Sequence, residues 1–430
     1  MKTIILLSSL LFSFFSTSYA AEVFIGVNGG ITSQTITLRI MDFAAQDETV
    51  KNEDFQNTVR SDLYMSRYFE IKESDGTNLK HSDSNQNNAD APDFSKADSQ
   101  YILTGFFGKP EKEDRWIFTG TIYDVKSRKA ILRKKYKGET KALRRSAHLF
   151  ADAITEALTG KPGIAHSRIA FSNDATGKKE IYVADYDGAN LKKITSDKSI
   201  NLLPRWSKDS SRIYYTTYRY GNPDMFEINF KEGKIQPFST YQGLNIPGNI
   251  SPDGLTMVMT ASRGGDPNIY TLNIVTKAMK PLLERKYGIT SSPTWSPDGK
   301  EVAFVSDRSG NPQIHVLNME TKKIRRLTRM NWCDSPMWSP DGSKILFSGR
   351  ESTKEKFNIF VSDLTGSNIV RLTVKAGTNE NPVWSPDGRF IAFTSTRNGR
   401  KQIFVMDADG SAQHVLNNIP GNSYTPSWSN

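Results

Sequence analysis

From about residue 165 to the C-terminus, apolar and polar positions follow one recurring pattern. Its clearest copies read Pro293-Thr-Trp295-Ser-Pro-Asp-Gly299, Pro336-Met-Trp338-Ser-Pro-Asp-Gly342 and Pro382-Val-Trp384-Ser-Pro-Asp-Gly388. Degraded copies at Pro204-Arg-Trp206-Ser-Lys-Asp209, Gly248-Asn-Ile250-Ser-Pro-Asp-Gly254 and Pro426-Ser-Trp428-Ser-Asn430 bring the set to six. The marker positions 206, 250, 295, 338, 384 and 428 are separated by 44, 45, 43, 46 and 44 residues. A period in the forties with strand-like content is the signature of propeller blades.

Fixed intervals inside the repeat resolve four strands, A to D. Nine residues after each marker stand Tyr215, Met259, Phe304, Phe347 and Phe393, with Phe171 as the same residue of a first copy. Eleven further on stand Tyr182, Phe226, Tyr270, His315 and Phe404, while Phe360 is thirteen on. Another thirteen lead to Thr195, Ser239, Leu283, Thr328, Thr373 and Asn417. Ser-Pro-Asp-Gly reads as a tight A–B turn, because Pro presets φ and Gly accepts the positive φ that closes it. Asp185-Tyr-Asp-Gly188 and Asp363-Leu-Thr-Gly366 turn likewise between C and D. Both fixed turns fall on one face of the disc, and the variable B–C and D–A connections fall on the other, around the mouth of the central tunnel. The first copy lacks an A strand and the last A strand stands alone, so 424–429 is expected to complete the blade opened by 168–171; an open solenoid is the alternative.

The preceding residues do not repeat. Thr37 to Phe43 alternates like a strand, and Phe55, Val59 and Leu63 mark one face of a helix. Residues 74–99, rich in Asp, Asn and Ser, read as a long loop with room for one short helix. Strands are expected at 101–107, 116–125 and 130–137, and Leu143, Ala147, Ala151, Ile154 and Leu158 define an amphipathic helix. The expectation is a small N-terminal α/β domain over 21–160, making that part α+β, followed by an all-β six-bladed β-propeller over 165–430. At the start, Lys2, the apolar run Ile4 to Phe15 and the small residues of Ser18-Tyr19-Ala20 predict a signal peptide over 1–20, cleaved after Ala20. A transmembrane anchor would need roughly twenty continuous apolar residues, and Ser16, Thr17 and Ser18 close the stretch early.

The net charge of +10 suits solubility or an anionic partner in the envelope better than nucleic acid in an exported chain. Cys333 is the only cysteine, which excludes an intramolecular disulfide and a cysteine-based metal site. No Gly-x-Ser-x-Gly elbow, P-loop or dinucleotide glycine pattern occurs. The five histidines (His81, His148, His166, His315 and His414) lack ligand spacing, and His315, where other blades carry Tyr or Phe, reads as a packing residue. These observations argue against an enzyme, with a propeller enzyme acting on envelope glycans as the alternative; paired carboxylates in the tunnel would favour it.

Binding candidates lie on the variable face: Asn201, Leu202, Asn245, Ser291, Ser292, Arg308, Asp334, Ser335, Asn379 and Glu380. Arg219, Arg263, Arg308, Arg350 and Arg397 recur in the B–C loops, suited either to a partner's carboxylates or to bridging neighbouring blades. Asp334 and Glu380 leave a cation in the tunnel open.

The signal peptide, the small α/β domain, the junction Leu158-Thr-Gly160 followed by Arg168-Ile-Ala-Phe171, Asp185-Tyr-Asp-Gly188 and the Trp-Ser-Pro-Asp-Gly repeats together resemble the TolB family of the Tol-Pal system. The resemblance covers the whole chain. It implies a monomeric periplasmic protein without cofactors, peripheral to the membrane through its partners. The lipoprotein Pal is expected at the propeller mouth, where Asn245 and Ser291 match Pal-contacting loops in location. The C-terminal domain of TolA is expected on the mature N-terminus, an arm over 21–32 in which Ala21, Glu22, Val23, Phe24 and Ile25 match the TolA-binding segment; other outer-membrane proteins are further candidate partners. The loop Leu244 to Asn249 departs from the family's pattern.

Overall fold

The computed structural model describes residues 22–25, 35–46, 52–72, 92, 94, 97–108, 115–263, 265–284 and 288–430. The expected signal peptide, Ala21 and most of the 74–99 loop lie outside the described residues. The chain divides into two compact units, residues 1–163 and 164–430.

In the first unit, strands β1 (Glu22–Ile25), β2 (Ile36–Ile40), β3 (Ala44–Ala45), β4 (Phe69–Lys72), β5 (Tyr101–Gly108), β6 (Arg115–Asp124) and β7 (Lys129–Glu139) form one sheet. Their order is β1-β7-β6-β5-β2-β4, with β3 pairing β5. Helices α1 (Asn52–Met65) and α2 (Leu143–Thr159) pack on each other. The helical spacing of Phe55, Val59 and Leu63 puts all three in the core, fully buried. Phe55 lies 4.4 Å from Phe118 between centroids, with the rings tilted 46°, and meets Phe107 edge-on at 5.3 Å. Gly105 and Gly120 face each other across β5 and β6, where a Cβ would strike the rings of Phe43 and Phe150 respectively. β4 was not anticipated: its four residues follow α1 and pair in parallel with β2.

The second unit consists of six four-stranded antiparallel sheets. Strand A spans Ser423–Trp428 in blade one, Asn201–Trp206 in two, Asn245–Ile250 in three, Thr290–Trp295 in four, Trp332–Trp338 in five and Asn379–Trp384 in six. Strand B spans Arg168–Asn173, Arg212–Thr217, Thr256–Ala261, Glu301–Ser306, Lys344–Arg350 and Phe390–Ser395 in the same order. Strand C spans Glu180–Asp185, Asp224–Asn229, Asn268–Asn273, Gln313–Asn318, Asn358–Asp363 and Gln402–Asp407, and D is the outer strand, two or three residues long except in blade two, where it spans Lys234–Ser239. The A strands touch one another in succession and close the circle, so they form the innermost ring. Ser423–Trp428 pairs with Arg168–Asn173 as the expected closure requires, with Tyr424 opposite Ser172 and Trp428 opposite Ile169.

Each aromatic position on B stands directly opposite its counterpart on C: Phe171 with Tyr182, Tyr215 with Phe226, Met259 with Tyr270, Phe304 with His315, Phe347 with Phe360, and Phe393 with Phe404. Such cross-strand pairs bury area on both strands at once and fix register. The constant thirteen-residue interval also has a cause. The hydroxyls of Thr195, Thr328 and Thr373 each accept an N–H from the second residue of strand C, at 2.9 Å from Ile181, Ile314 and Ile359. They donate in turn to the side chain of its first residue, Glu180, Gln313 or Asn358.

Candidate functional site

The A–B turns show why one face is uniform. In blades two to six the Ser hydroxyl donates to the Asp carboxylate, as Ser296 does to Asp298 at 2.6 Å, and accepts the N–H that opens strand B, as from Glu301 at 2.9 Å. The same Asp oxygen accepts the N–H two residues on. The Ser hydroxyls of Ser251, Ser296 and Ser339 hold the carboxyls of Asp253, Asp298 and Asp341 below the usual carboxylate range. With the Gly of blades three to six at φ 72–78° and Ser210 of blade two at φ 54°, the Ser, the Asp and the last residue of the turn are committed to its own geometry.

On the opposite face, the rim end of strand A carries a bulge in every blade. Pairing with B shifts register after Leu202, Pro247, Ser291, Asp334, Glu380 and Tyr424. In five blades the residue before the repeat's Pro takes a left-handed backbone: Leu203 (φ 55°), Ser292 (51°), Ser335 (52°), Asn381 (53°) and Thr425 (49°). Bulges re-aim side chains, and left-handed non-glycine residues carry strain that clusters at binding surfaces. Two of these amides are satisfied by the preceding blade, Ser292 N–H donating to Thr260 Oγ1 and Thr425 N–H to Thr394 Oγ1, both at 3.1 Å, whereas Ser335 N–H donates to Asp334 Oδ1 beside it. Blade three differs, as its Leu244–Asn249 sequence suggests. Its bulge follows Pro247, and a Cβ on Gly248 would lie 2.4 Å from Val258 O and 2.7 Å from Pro293 O.

The rim candidates separate into two groups. Asn201, Asn245 and Asn379 open their A strands and are fully buried. Asn201 Nδ2 donates to Glu180 and Asp197 at 2.8 Å. Asn245 Nδ2 donates to the carbonyls of Tyr241 at 2.5 Å and Gly243 at 2.9 Å, while Asn379 Oδ1 accepts from Arg397 at 3.2 Å. These amides hold the D–A connection onto its blade. Leu202, Ser291, Ser292, Asp334, Ser335 and Glu380 are instead half-buried at the inner rim. Ser292 Oγ donates to Asp334 Oδ1 at 3.2 Å across blades four and five, and Asn381 Nδ2 donates to Ser335 Oγ at 3.1 Å across blades five and six. Burial pushes the Asp334 carboxyl up against the donors around it, and the nearby Glu380 charge adds to the rise. Glu380 forms an ion pair with Lys401 at 3.0 Å. Among the described residues no three His, Cys, Asp or Glu side chains gather as a metal site.

The five arginines are part of the blades. Arg308 lies 5.4 Å from the Phe304 ring and donates to Ser306 Oγ at 3.0 Å. Arg397 lies 4.4 Å from the Phe404 ring and Arg219 pairs with Asp197 at 2.8 Å. Arg350 donates to Asn331 at 3.0 Å and Arg263 lies 4.9 Å from the Tyr241 ring. In the blades of Arg219, Arg263 and Arg350, these contacts tie the B–C loop to the D–A connection that leads into the same blade. The N-terminal arm contributes β1, whose backbone pairs antiparallel with β7, Glu22 opposite Lys135 and Ile25 opposite Leu132; Ala21 and 26–32 lie outside the described residues. No described helix is long and apolar enough to cross a membrane.

A closed six-bladed propeller with a committed turn face and a bulged mouth of mixed apolar and polar groups defines a scaffold whose variable chemistry is at one end of its tunnel. Residues 155–430 match the model of the TolB beta propeller domain, and the chain belongs to that family. The Tol-Pal system protein TolB of Desulfosudis oleivorans is 46% identical over 98 residues, 23% of this chain and 22% of its own length. That of Geobacter metallireducens is 43% identical over 92 residues, 21% of each chain. These alignments therefore span about a fifth of the curated relatives. The crystal structure of TolB from Acinetobacter baumannii superposes with a TM-score of 0.75 at 26% identity, covering 95% of this chain and 99% of that one.

Proposed function

We propose that this chain is an exported, periplasmic binding component of the Tol-Pal system rather than an enzyme. In this reading the propeller mouth binds the peptidoglycan-associated lipoprotein Pal, and the segment 21–25 binds TolA. Together these contacts support outer-membrane integrity and envelope constriction during division. The observation that carries the proposal is the asymmetry of the disc. Turn residues on one face are consumed by their own hydrogen bonds, whereas the half-buried Leu202, Ser291, Ser292, Asp334, Ser335 and Glu380 collect at the inner rim of the other. Rigid scaffolds with variable rim groups bind there, and the names of the relatives supply the system.

The test is capture from envelope extracts by the full-length protein and by Ser291→Arg. The wild type recovers Pal and the variant loses most of it; undiminished recovery by the variant rejects the rim. Deleting 21–25 removes TolA capture and leaves Pal capture, and unchanged TolA capture rejects the arm.

A further inference from the structure

One position near the rim end of strand A, the second residue in five blades and the third in blade five, occupies an equivalent place opposite strand B: Leu202 with Thr216, Ile246 with Thr260, Ser291 with Val305, Asp334 with Ser348, Glu380 with Thr394, and Tyr424 with Ser172. All six are half-buried at the rim end of the innermost ring. Their chemistry is sorted around the circle. Blades two and three present the aliphatic side chains of Leu202 and Ile246. Blades four to six present a hydroxyl and two carboxylates. Tyr424 closes the ring with its hydroxyl donated to Asp174 at 3.0 Å and its ring 4.3 Å from Lys179 Nζ.

Each half has a second feature pointing the same way. Beside Leu202 the outer rim carries exposed apolar groups: Ile200 (40% exposed), Tyr218 (38%) and Tyr220 (69%). Tyr218 N–H donates to Ile200 O at 3.1 Å, which fixes the two loops together. Scattered apolar residues on a surface need no explanation, but an apolar sector that continues from rim to mouth marks a contact. On the polar side, Ser292 Oγ (3.2 Å), Ser335 N–H (2.5 Å) and Ser335 Oγ (3.4 Å) all donate to Asp334 Oδ1. Oδ2 receives none of these bonds. A half-buried carboxylate held by one oxygen presents the other, in fixed orientation, to an incoming donor, and such charge-assisted bonds are the strong ones.

A ring of six similar blades offers a partner six nearly equivalent rotational settings. Sorting the mouth into an apolar and an acidic arc leaves one. We infer that the mouth reads a two-part feature on its protein partner: an aliphatic or aromatic side chain seated over Leu202 and Ile246, and a cationic or N–H donor side chain reaching Asp334 on the far arc. The partner's setting on the propeller follows from the match, because turning it by one or more blades puts the cation over leucine and the apolar group over a carboxylate.

This inference rests on the proposal that Pal docks at the mouth, and the experiment separates the two. The affinity of the full chain for the soluble Pal domain is measured over a range of salt concentrations, with Leu202→Asn, Ile246→Asn, Asp334→Asn and, on the turn face, Leu255→Asn. Leu202→Asn and Ile246→Asn weaken binding by about tenfold at every salt concentration, as expected for losing a buried apolar contact. Asp334→Asn weakens it most at low salt and flattens the salt dependence. Leu255→Asn and the apolar Leu202→Met stay within about twofold of wild type, which separates contact loss from misfolding. Wild-type binding with all three mouth variants unchanged overturns the inference and leaves mouth docking standing. Absence of wild-type binding overturns both.

Discussion

The phenyl ring of Phe304 and the imidazole of His315 lie 5.9 Å apart and 27° from parallel on neighbouring strands of blade four. His315 Nδ1–H donates to the Gln313 carbonyl at 3.2 Å, and the ring is buried. Four other blades fill the pair with two aromatic rings, so His315 serves as a flat apolar plate. Burial, with the Arg308 and Arg326 charges, pushes its pKa down from 6.5 to about 4 despite the Gln313 carbonyl. The unfolded chain therefore binds this proton more readily than the folded one. The neutral imidazole's contribution is complete above pH 6.5 and is lost as pH falls toward 4. Urea unfolding of His315→Phe is expected to show a shallower fall in stability between pH 6.5 and 4 than wild type. Equal slopes contradict this reading of the pair.

Two turn glycines separate conformational from steric cost. Gly254 closes an A–B turn at φ 78° with nothing within 4 Å of an added Cβ, whereas a Cβ on Gly366, at φ 75°, would lie 2.1 Å from Leu327 O in the neighbouring blade. Gly254→Ala is expected to cost about 1–2 kcal/mol, the ordinary left-handed penalty. Gly366→Ala carries that penalty plus displacement of the adjacent backbone, so its midpoint in chemical denaturation falls further.

Cys333, second residue of strand A in blade five, is fully buried at the place where blades two, three and six carry buried asparagines. Burial pushes its thiol up to about 12, leaving essentially no thiolate at neutral pH. A thiol reagent is expected to label the native protein no faster than global unfolding allows, and fully within the mixing time in denaturant. Fast native labelling contradicts the placement.

Ring closure concentrates on Asp174. Its carboxylate accepts from Asn422 N–H at 2.6 Å, Asn422 Nδ2 at 3.1 Å and Tyr424 Oη at 3.0 Å, joining the end of the chain to the first B–C loop. Asp174→Ala leaves three donors to find other partners and is expected to cost about 1–3 kcal/mol. Because the closing strand covers a sheet edge, the variant also aggregates earlier on heating, measured by light scattering alongside the melt.

Six blades, their boundaries and the closure are legible in the sequence because each rests on local chemistry that recurs around the ring: a marker Trp in five of six copies, a Ser-Pro-Asp-Gly turn in four, and bulky residues at nearly constant intervals. Asn201, Asn245 and Asn379 looked like binding groups because an amide before a variable loop carries no sign of whether it faces solvent or the loop's own carbonyls. The left-handed residue of each A strand was hidden for a related reason. Leu203, Ser292, Ser335, Asn381 and Thr425 are five residues of four types, none a glycine, and at Ser292 and Thr425 the amide is met by a threonine of the preceding blade, a partner far off in sequence. The buried contact between His148 and Asp62, 2.7 Å apart, joins helices 86 residues apart in sequence, a pairing no local pattern announces.

Hydrogen exchange of the full chain with and without the soluble Pal domain tests the account most directly. Protection is expected in the inner rim segments around 200–204, 290–293, 333–336 and 379–382, with the Ser-Pro-Asp-Gly turns of the opposite face unchanged. Protection confined to those turns, or to the first 163 residues, would contradict docking at the mouth.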